Sequence, residues 1–435
     1  MMELKQYMDI EFSEPHMIRK LQEKRLRDHL VYCSKHSPYY QRILKDSCID
    51  FERIRLEQLC ELPFTDKSDL EKYNNDFCAV SPVKIVDVVL SSGTTGCPTR
   101  IVYTDYDLNR LAYNEKKSFA GCGITAEDIV LLTCTIDRCF VAGLAYFLGV
   151  RSLGATAIRN GLNTLENQKD IILRMKPTVI VGVPTFLKKL GLYLQNNKIN
   201  PAKTTVSKLV CIGEPLRNQN LELLKIGLDL EEIWQAKAFS TYASTETVTT
   251  FCECTAQQGG HLHPDLAVVE IIDENGKVLL PGHIGEVVVT PIAMEGMPLV
   301  RFKTGDISFL IDKQCSCGRH SARLGPILGR KKQMLKVRGT TLYPQSIFSA
   351  LEEINDIDDY YIIVSSKTDL SDNITICVTV NENSCNCEII QNKLQAKLRV
   401  KPTVVITSKE KIAQQVYTPK SRKPVRFIDR RKQNA

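Results

Sequence analysis

The clearest pattern in the chain is a series of short apolar runs separated by amphipathic stretches. Four runs are rich in β-branched residues, as strands are. They are Val86–Leu90, Asp128–Thr133, Thr178–Val183 and Lys208–Ile212. Segments between them, such as Thr164–Arg174, carry apolar residues at helical spacing. Strands that alternate with helices predict an α/β fold with largely parallel sheets.

The pattern changes near residue 268. Val268–Asp273 and Gly285–Thr290 flank the turn-forming pairs Asn275-Gly276 and Pro281-Gly282. These two runs are therefore predicted to be antiparallel strands.

The last hundred residues show a third pattern, which predicts a small α+β domain. Its predicted elements are a helix near Pro344–Ile354, strands Tyr360–Ser365 and Asn373–Val380, a helix Cys387–Val400 and a strand Thr403–Ile406. We place the boundary in the charged Arg330–Gln333 segment. The prediction is a large N-terminal α/β domain of several subdomains over residues 1–330 and a small C-terminal domain over residues 331–435.

Composition excludes some classes of protein. The 435 residues are 43% hydrophobic and 25% charged, which is ordinary for a globular protein of two or three domains. No apolar run approaches the roughly 18 residues of a membrane span. The start, Met1–Gln6, lacks the apolar stretch of a signal peptide. We expect a cytoplasmic protein with no membrane partner.

The net charge of +7 resides in the last quarter of the chain, where residues 331–435 hold 18 Lys and Arg against 11 Asp and Glu. A solvated basic tail is the ordinary interpretation of such a run. Where the basic residues are densest, Tyr417 and Phe427 are the only aromatic residues nearby, so nucleic-acid bases would have few aromatic side chains on which to stack. We expect no nucleic-acid partner and prefer a lid that brings positive charge to phosphates.

A loop of small residues follows the first predicted strand. Its members are Ser91, Ser92, Gly93, Thr94, Thr95 and Gly96. Backbone N–H groups in such a loop can approach phosphate oxygens closely. The Gly-Lys-Ser/Thr of a Walker A loop is missing. Taken alone, such a loop is usually a flexible surface connection rather than a phosphate site.

Four further blocks follow the loop in order. They are Ile212–Pro215, Tyr242–Glu246, Arg301–Asp306 and Leu328–Arg330. Together with the loop they resemble the adenylate-forming ligases, which activate carboxylic acids with ATP. Leu62–Leu70 and Cys315–Arg319 are similar to the phenylacetate–CoA ligase family in particular. The resemblance runs from about Leu21 to Arg431.

The resemblance implies roles for residues of the large domain. The loop would hold the β- and γ-phosphates, and Thr245 an α-phosphate oxygen. Glu246 would hold Mg²⁺, and Asp306 would accept the ribose hydroxyls. The adenine and acyl sites and the rest of the nucleotide would be contacted by Gly213, Glu214, Pro215, Tyr242, Ala243, Ser244 and Arg330.

The resemblance also implies a mobile lid. Lys423, or Lys420 if the alignment shifts, would meet the reacting carboxylate and α-phosphate. Lys332 takes the hinge position. Rotation about the hinge would withdraw Lys423 from the active site and bring in the loop with Arg338 and Gly339. This rotation would open a channel for coenzyme A.

Two departures from relatives affect the expected chemistry. Cys97 stands where close relatives have a lysine, and Lys67 or Arg100 could supply that charge. In the stretch implied to contact the acid, Arg138 and Phe140 replace a Tyr- and Gly-rich sequence. An Arg138 that faces the pocket favours an acid with a second polar group over phenylacetate, whereas a solvated Asp137–Arg138 pair would carry no such meaning.

Cysteines and histidines gather in two distant segments. Cys254, His261, Cys315 and Cys317 form a Cys₃His set, the ligand chemistry of structural zinc. Cys252 and His263 are alternative ligands, and two turns without metal are the alternative interpretation. Such a set leaves no open position, so we expect a structural role.

The expected function is an acid–thiol ligase that uses ATP, Mg²⁺ and coenzyme A to form an acyl- or aryl-CoA through an acyl-adenylate. One alternative passes the acyl group to a carrier protein or an amine. Another, motivated by Cys97 and by Arg422 before Lys423, is a non-catalytic nucleotide-binding regulator. The resemblance also allows a homodimer.

Overall fold

The computed structural model divides the chain into two units, Met1–Ile327 and Leu328–Ala435. It describes residues 6–7, 9–45, 47, 49–91, 99–337, 340–368, 371–380, 386–416 and 425–431. Within these residues, every helix is too short or too polar to cross a bilayer.

The larger unit begins with helices and ends with short antiparallel strands. Its helices are α1 (Pro15–His36), α2 (Pro38–Ile43), α3 (Lys67–Lys72), α4 (Asn74–Phe77), α5 (Asp105–Gly121), α6 (Val141–Leu153), α7 (Leu165–Met175), α8 (Pro184–Asn196) and α9 (Lys225–Trp234). Its strands are β1 (Ile85–Leu90), β2 (Arg100–Thr104), β3 (Ile129–Leu132), β4 (Thr156–Arg159), β5 (Val179–Gly182), β6 (Lys208–Ile212), β7 (Lys237–Ser244), β8 (Thr249–Cys252), β9 (Gly260–His261), β10 (Ala267–Ile272), β11 (Gly285–Pro291), β12 (Phe302–Ser308), β13 (Leu310–Ile311) and β14 (Arg323–Leu324).

A six-stranded sheet with the order β4-β3-β5-β6-β7-β8 forms the centre of the larger unit. All neighbours are parallel except β7 and β8, which are antiparallel. Every residue of β5 is buried, because helices cover both faces of such a sheet and leave no polar side. The α/β prediction is confirmed.

Antiparallel pairs complete the larger unit. Strand β11 lies between β10 and β12 and is antiparallel to both, as the turn-forming pairs predict for β10 and β11. A second group has the order β13-β14-β9, and β1 pairs with β2. These strands hold the residues that lie beside the carboxyl edge of the central sheet.

The smaller unit is an α+β domain with its own apolar core. Its strands are β15 (Gly329–Arg330), β16 (Leu335–Val337), β17 (Thr340–Leu342), β18 (Ile357–Thr368), β19 (Ser371–Val380), β20 (Thr403–Ile406) and β21 (Phe427–Asp429); its helices are α10 (Pro344–Glu352), α11 (Cys387–Leu398) and α12 (Lys409–Val416). Four strands form a sheet in the order β20-β19-β18-β21. Ile362, Ile376 and Leu394 are fully buried in its core.

Candidate active site and metal centre

Two of the sequence blocks, Ile212–Pro215 and Tyr242–Glu246, lie at the carboxyl edge of the central sheet. Carboxyl ends of parallel strands share one edge, and open α/β sheets bind ligands there. Gly213 follows β6 directly, and Ser244 ends β7. The stretch Thr135–Phe140 lies between β3 and α6. Residues that are far apart in the chain therefore converge for a topological reason.

Only the flanks of the small-residue loop are described. Ser91 is buried; its N–H donates to the Thr99 carbonyl at 2.9 Å, and its hydroxyl accepts from the Thr99 N–H at 3.2 Å. Because β1 and β2 pair up to Leu90 and Arg100, the loop spans the end of a hairpin. Ser92, Gly93, Thr94, Thr95, Gly96 and Cys97 lie outside the described residues.

Glu246 lies in the turn between β7 and β8 and is almost fully buried. Its Oε2 accepts from the Ser244 hydroxyl at 2.8 Å, and its Oε1 lies 3.0 Å from Lys67 Nζ. Burial alone would raise the pKa of Glu246, but the Lys67 ammonium and hydrogen bonds bring it below its usual value. Glu246 is thus an anion at neutral pH. The neighbouring Thr245 carbonyl accepts from the Tyr103 hydroxyl at 3.1 Å.

Lys67 contacts the predicted site residue Glu246, a contact that the sequence did not predict. It is the first residue of α3, which Asp66 caps by accepting from the Ser68 and Asp69 N–H groups. Thr65 ties this segment to β12 through paired backbone hydrogen bonds with Arg301 and Lys303.

The other cation considered as a replacement for the missing lysine is engaged elsewhere. Arg100 is exposed and donates to the side chains of Asn74 and Asn75, at 3.1 and 2.8 Å. Of the two candidates, only Lys67 contacts a predicted site residue in the described structure. The change from apolar to polar residues in Phe64-Thr65-Asp66-Lys67 marks a helix start. Glu246, the partner of Lys67, lies 179 positions further along the chain, so the sequence gives no sign of their contact.

Asp306 is joined to the Tyr242 block by a hydrogen bond. The Tyr242 hydroxyl donates to Asp306 Oδ2 at 2.9 Å. Burial and the Asp306 carboxylate raise the pKa of Tyr242, so the phenol remains a donor. Gly305 has a φ of +77°, which turns the chain just before Asp306 and which a side chain would disfavour.

Glu214 helps to fix the loop after β5. Its carboxylate accepts from the N–H and the hydroxyl of Thr185, at 3.0 and 2.9 Å, in the first turn of α8. An acidic side chain is favourable at this end of a helix. Gly213 before it has a φ of +75° and is exposed, as expected for a residue that a ligand approaches.

The acyl stretch forms a strained turn. Arg138 and Cys139 have φ values of 62° and 53°, and consecutive left-handed non-glycine residues are costly and concentrate at functional sites. The Arg138 side chain is exposed, whereas Phe140 is half-buried before α6. The Cys139 carbonyl accepts from the Leu90 N–H at 2.8 Å, which ties this turn to the strand before the small-residue loop.

Residues assigned to the lid are described in part. Arg330 ends β15, and Lys332 lies in a short 3₁₀ helix, Lys331–Gln333. Lys423, Arg338 and Gly339 lie outside the described residues, as do Lys420 and Arg422.

The four cysteine and histidine residues predicted to bind a metal come together. The ligand atoms of Cys254, His261, Cys315 and Cys317 all lie within 4.8 Å of one another. Cys254 Sγ is 3.6 Å from Cys315 Sγ, and Cys317 Sγ is 3.5 Å from His261 Nε2. A zinc–sulfur bond of about 2.3 Å implies a tetrahedron with edges of about 3.8 Å, so the donor set fits Zn²⁺.

The alternative ligands point elsewhere. Cys252 Sγ contacts Cys122 Sγ at 3.1 Å and the Thr241 hydroxyl at 3.0 Å. His263 is bonded through Nδ1 to Glu11 at 2.6 Å and through Nε2 to Ser118 at 3.2 Å. The fold therefore separates the two candidate sets that sequence spacing left open.

The protonation chemistry of the cluster also suits a metal. Burial lowers the pKa of His261 to about 3, so its ring is neutral. A proton on Nδ1, shared with Ser321 Oγ at 3.0 Å, leaves the Nε2 lone pair for a metal. Burial raises the pKa of Cys317, but hydrogen bonds from the Arg319 backbone and guanidinium outweigh it and lower the pKa overall.

Glu11 organises the surroundings of this cluster. Its carboxylate accepts from Arg319 Nε at 2.8 Å and lies 2.9 Å from Lys117 Nζ, while its carbonyl accepts from the His320 N–H at 2.7 Å. Lys117 in turn contacts Asp265 at 2.9 Å. This buried ion network anchors the segment that carries two of the candidate metal ligands, Cys315 and Cys317. Sequence analysis missed the network because its members are scattered along the chain.

Comparisons with known proteins agree with this architecture. A 2-hydroxyisobutyryl-CoA ligase, solved in the postadenylation state with 2-HIB-AMP, superposes with a TM-score of 0.85 at 21% identity, covering 99% of this chain and 94% of the other. That likeness shows that the chain has the same fold as this ligase.

Sequence comparison then gives the family. The chain belongs to the AMP-binding enzyme family, matched over residues 29–296, with an AMP-binding enzyme C-terminal domain over residues 339–431. A phenylacetate–coenzyme A ligase of Thermus thermophilus is 32% identical over 371 residues, 84% of this chain and 82% of the relative. One of Escherichia coli is 24% identical, covering 92% and 93%. The resemblance found in the sequence is confirmed.

Proposed function

We propose that the protein is an ATP-dependent acid–thiol ligase that forms an acyl- or aryl-CoA through an acyl-adenylate. The observation that carries the proposal is that the Tyr242–Glu246 block makes two contacts with distant predicted or candidate site residues: Glu246 pairs with Lys67 at 3.0 Å, and Tyr242 donates to Asp306 at 2.9 Å. The named relatives, which are phenylacetate–coenzyme A ligases, support the same reaction.

In the first half-reaction the carboxylate oxygen of the acid attacks the α-phosphorus of ATP, and pyrophosphate leaves. Two anions must approach each other, so the site has to supply positive charge and aligned donors. Lys67 brings an ammonium to the site, Thr245 would donate to an α-phosphate oxygen, and Asp306 would accept from the ribose hydroxyls.

Glu246 is the residue that would hold Mg²⁺. It is anionic and buried, and Mg²⁺ is commonly held by one or two carboxylates together with substrate phosphates. When bound, the ion would neutralise phosphate charge. The Lys67 ammonium pairs with Glu246 in the described structure, so the two side chains together would offer the bound phosphates a cation and a metal-binding carboxylate.

In the second half-reaction the thiol of coenzyme A attacks the acyl carbon and AMP leaves. For this step we retain the roles that the resemblance implies: the first unit binds ATP and acid, and the second is a lid. Lys423 would serve adenylation, Lys332 would be the hinge, and Arg338 with Gly339 would line the thiol channel.

We further propose a structural Zn²⁺ on Cys254, His261, Cys315 and Cys317. Four protein ligands leave no open position, so the ion would pin the Cys254 loop to the Cys315 loop without taking part in the reaction.

The acid is proposed to carry a second polar group. Arg138 is exposed in a strained turn at the carboxyl edge of the sheet, where a guanidinium can pair with a carboxylate. Comparison of aryl, fatty and dicarboxylic acids tests this idea, and phenylacetate as the best substrate would contradict it.

A pyrophosphate-release assay with ATP, Mg²⁺ and an acid panel, with and without coenzyme A, tests the main proposal. We expect release that depends on one acid and yields its thioester. Release that is indifferent to coenzyme A would favour a carrier protein or an amine as acceptor. ATP binding without pyrophosphate release for any acid would favour the non-catalytic nucleotide-binding regulator. Cys97 and Arg422 would then be the substitutions that account for the lost activity.

A further inference from the structure

Arg431 is the centre of a charge cluster in the smaller unit that the proposed reaction does not use. It follows β21, and its guanidinium makes two contacts with Asp429, at 2.7 and 2.9 Å. It also donates to Asp372 Oδ2 at 3.0 Å. Planar donors shared between two carboxylates hold a guanidinium in one orientation.

The same guanidinium contacts the backbone of the hinge segment. Nη1 donates to the Met334 carbonyl at 2.8 Å, whereas Nη2 lies 3.5 Å from the Lys332 carbonyl. The first distance is that of a firm hydrogen bond, and the second is at the limit of a weak one. The chain is thus firmly held from Met334 onward and only loosely at Lys332.

Asp372 extends this clamp to a further strand. Its Oδ2 also accepts from the Lys336 N–H at 2.8 Å. Lys336 lies in β16, which leads to Arg338 and Gly339, while β21 follows the Lys423 segment. Arg431 therefore connects the backbone beside the hinge to β21 directly and to β16 through Asp372.

We propose that Arg431 is a positioning residue that confines the bend between the two half-reactions to Lys332, so that everything from Met334 onward turns as one body. The proposal rests on the function proposed above. Without the clamp the bend would spread from Lys332 to Lys336. Fewer molecules would then hold Lys423, or the Arg338 loop, in a reactive orientation, and such conformational steps often set turnover.

Arg426 offers a matched control. It lies in the same unit, five residues earlier, and pairs with the Asp359 carboxylate and with the Tyr360 carbonyl at 3.0 Å. Both described partners belong to β18 rather than to the hinge. Arg426→Gln therefore removes a comparable guanidinium while it leaves the contacts of Arg431 in place.

The experiment compares Arg431→Gln and Arg426→Gln in the full chain. We expect Arg431→Gln to lower acid-dependent pyrophosphate exchange and single-turnover thioester formation about tenfold each, with the Kd for ATP unchanged within about twofold. Trypsin should cut after Lys331 and Lys332 faster in this variant alone, because local opening exposes the backbone. Arg431→Lys should recover part of the loss, since one ammonium can satisfy some of the acceptors.

Equal effects in Arg431→Gln and Arg426→Gln, or unchanged cleavage at Lys331 and Lys332, would overturn the clamp. If Arg431→Gln does not fold, Asp372→Asn gives the same comparison. A wild-type protein that releases no pyrophosphate with any acid refutes the proposed function instead, and the tryptic comparison still decides whether Arg431 holds the hinge.

Discussion

At the scale of single side chains, the contact between Lys67 and Glu246 sets the charge of the site. The motif that surrounds Glu246 could be recognised in the sequence, and its implied role as the magnesium ligand followed from resemblance. The position of Lys67 could not, because a contact between a helix start and a distant turn depends on tertiary packing. In the sequence Lys67 and Arg100 are equal candidates, and they differ in the fold because Lys67 contacts Glu246 whereas Arg100 contacts Asn74 and Asn75.

Lys67→Met should lower kcat/KM for pyrophosphate release about 10²-fold, the cost of removing one well-placed charge donor from a reaction centre. Lys72→Met on the same helix is the control, because Lys72 is exposed and its ammonium lies over the Tyr73 ring at 4.9 Å. Steady-state kinetics measures the effect. Equal losses in the two variants would exclude a direct role for Lys67.

The same substitution should change the pH dependence. With Lys67 present the pKa of Glu246 is below its usual value, so the carboxylate persists as pH falls. Without the ammonium, burial raises that pKa, and the protonated side chain would bind Mg²⁺ poorly. The acid limb of the rate profile should therefore move to higher pH in Lys67→Met, and an unmoved limb would contradict this account.

Glu11→Gln should destabilise the larger unit by about 3–5 kcal/mol, because buried cations lose their partner. Burial raises the pKa of Glu11, but His263 and Lys117 outweigh it and lower the pKa well below 4.5. The stabilisation is therefore present above pH 4.5 and is lost as pH falls below it. Urea unfolding at several pH values should show a flatter acid slope for Glu11→Gln, and Glu14→Gln, which is exposed, should match the wild type.

At the scale of elements, the loops that carry the cysteines depend on the proposed metal. Cys315→Ser should abolish zinc in the purified protein, as measured by inductively coupled plasma mass spectrometry, and should lower the melting temperature by about 3 °C if about 2 kcal/mol is lost. Cys60→Ser, at an exposed cysteine, should change neither. A wild-type protein without zinc would contradict the proposal.

The sequence predicted three of the six strands of the central sheet, β3, β5 and β6, to within one residue at each end, because buried parallel strands are continuous apolar runs. It did not predict β4, β7 or β8 as strands. It missed β21, because Phe427-Ile428-Asp429 lie inside a basic run in which no strand was predicted. Pairing with β18, through Ile362 and Phe427, overrides that local character. The metal cluster also depends on tertiary structure. The sequence spacing offered six possible ligands, and the fold brings four of them together while the other two, Cys252 and His263, contact other residues.

At the scale of the whole molecule, the smaller unit has a core of its own. A fragment of residues 328–435 should therefore fold alone and give a dispersed amide NMR spectrum. In that fragment Ile376→Ala should lower the free energy of unfolding by about 2–5 kcal/mol, because Ile376 is fully buried. Val405→Ala, on the exposed face of β20, should cost less than about 0.5 kcal/mol. A collapsed spectrum for the wild-type fragment would contradict the prediction.

The contact between Glu11 and Arg319 spans 308 positions of the chain, and this has a consequence during protein synthesis. Glu11 leaves the ribosome early, and its partners follow in the order Lys117, His263 and Arg319. At about 5–20 residues per second, the last of them arrives roughly 15–60 s later. The N-terminal segment therefore gains its partners one at a time, and a ribosome that stalls before codon 319 leaves Glu11 without its contact to Arg319.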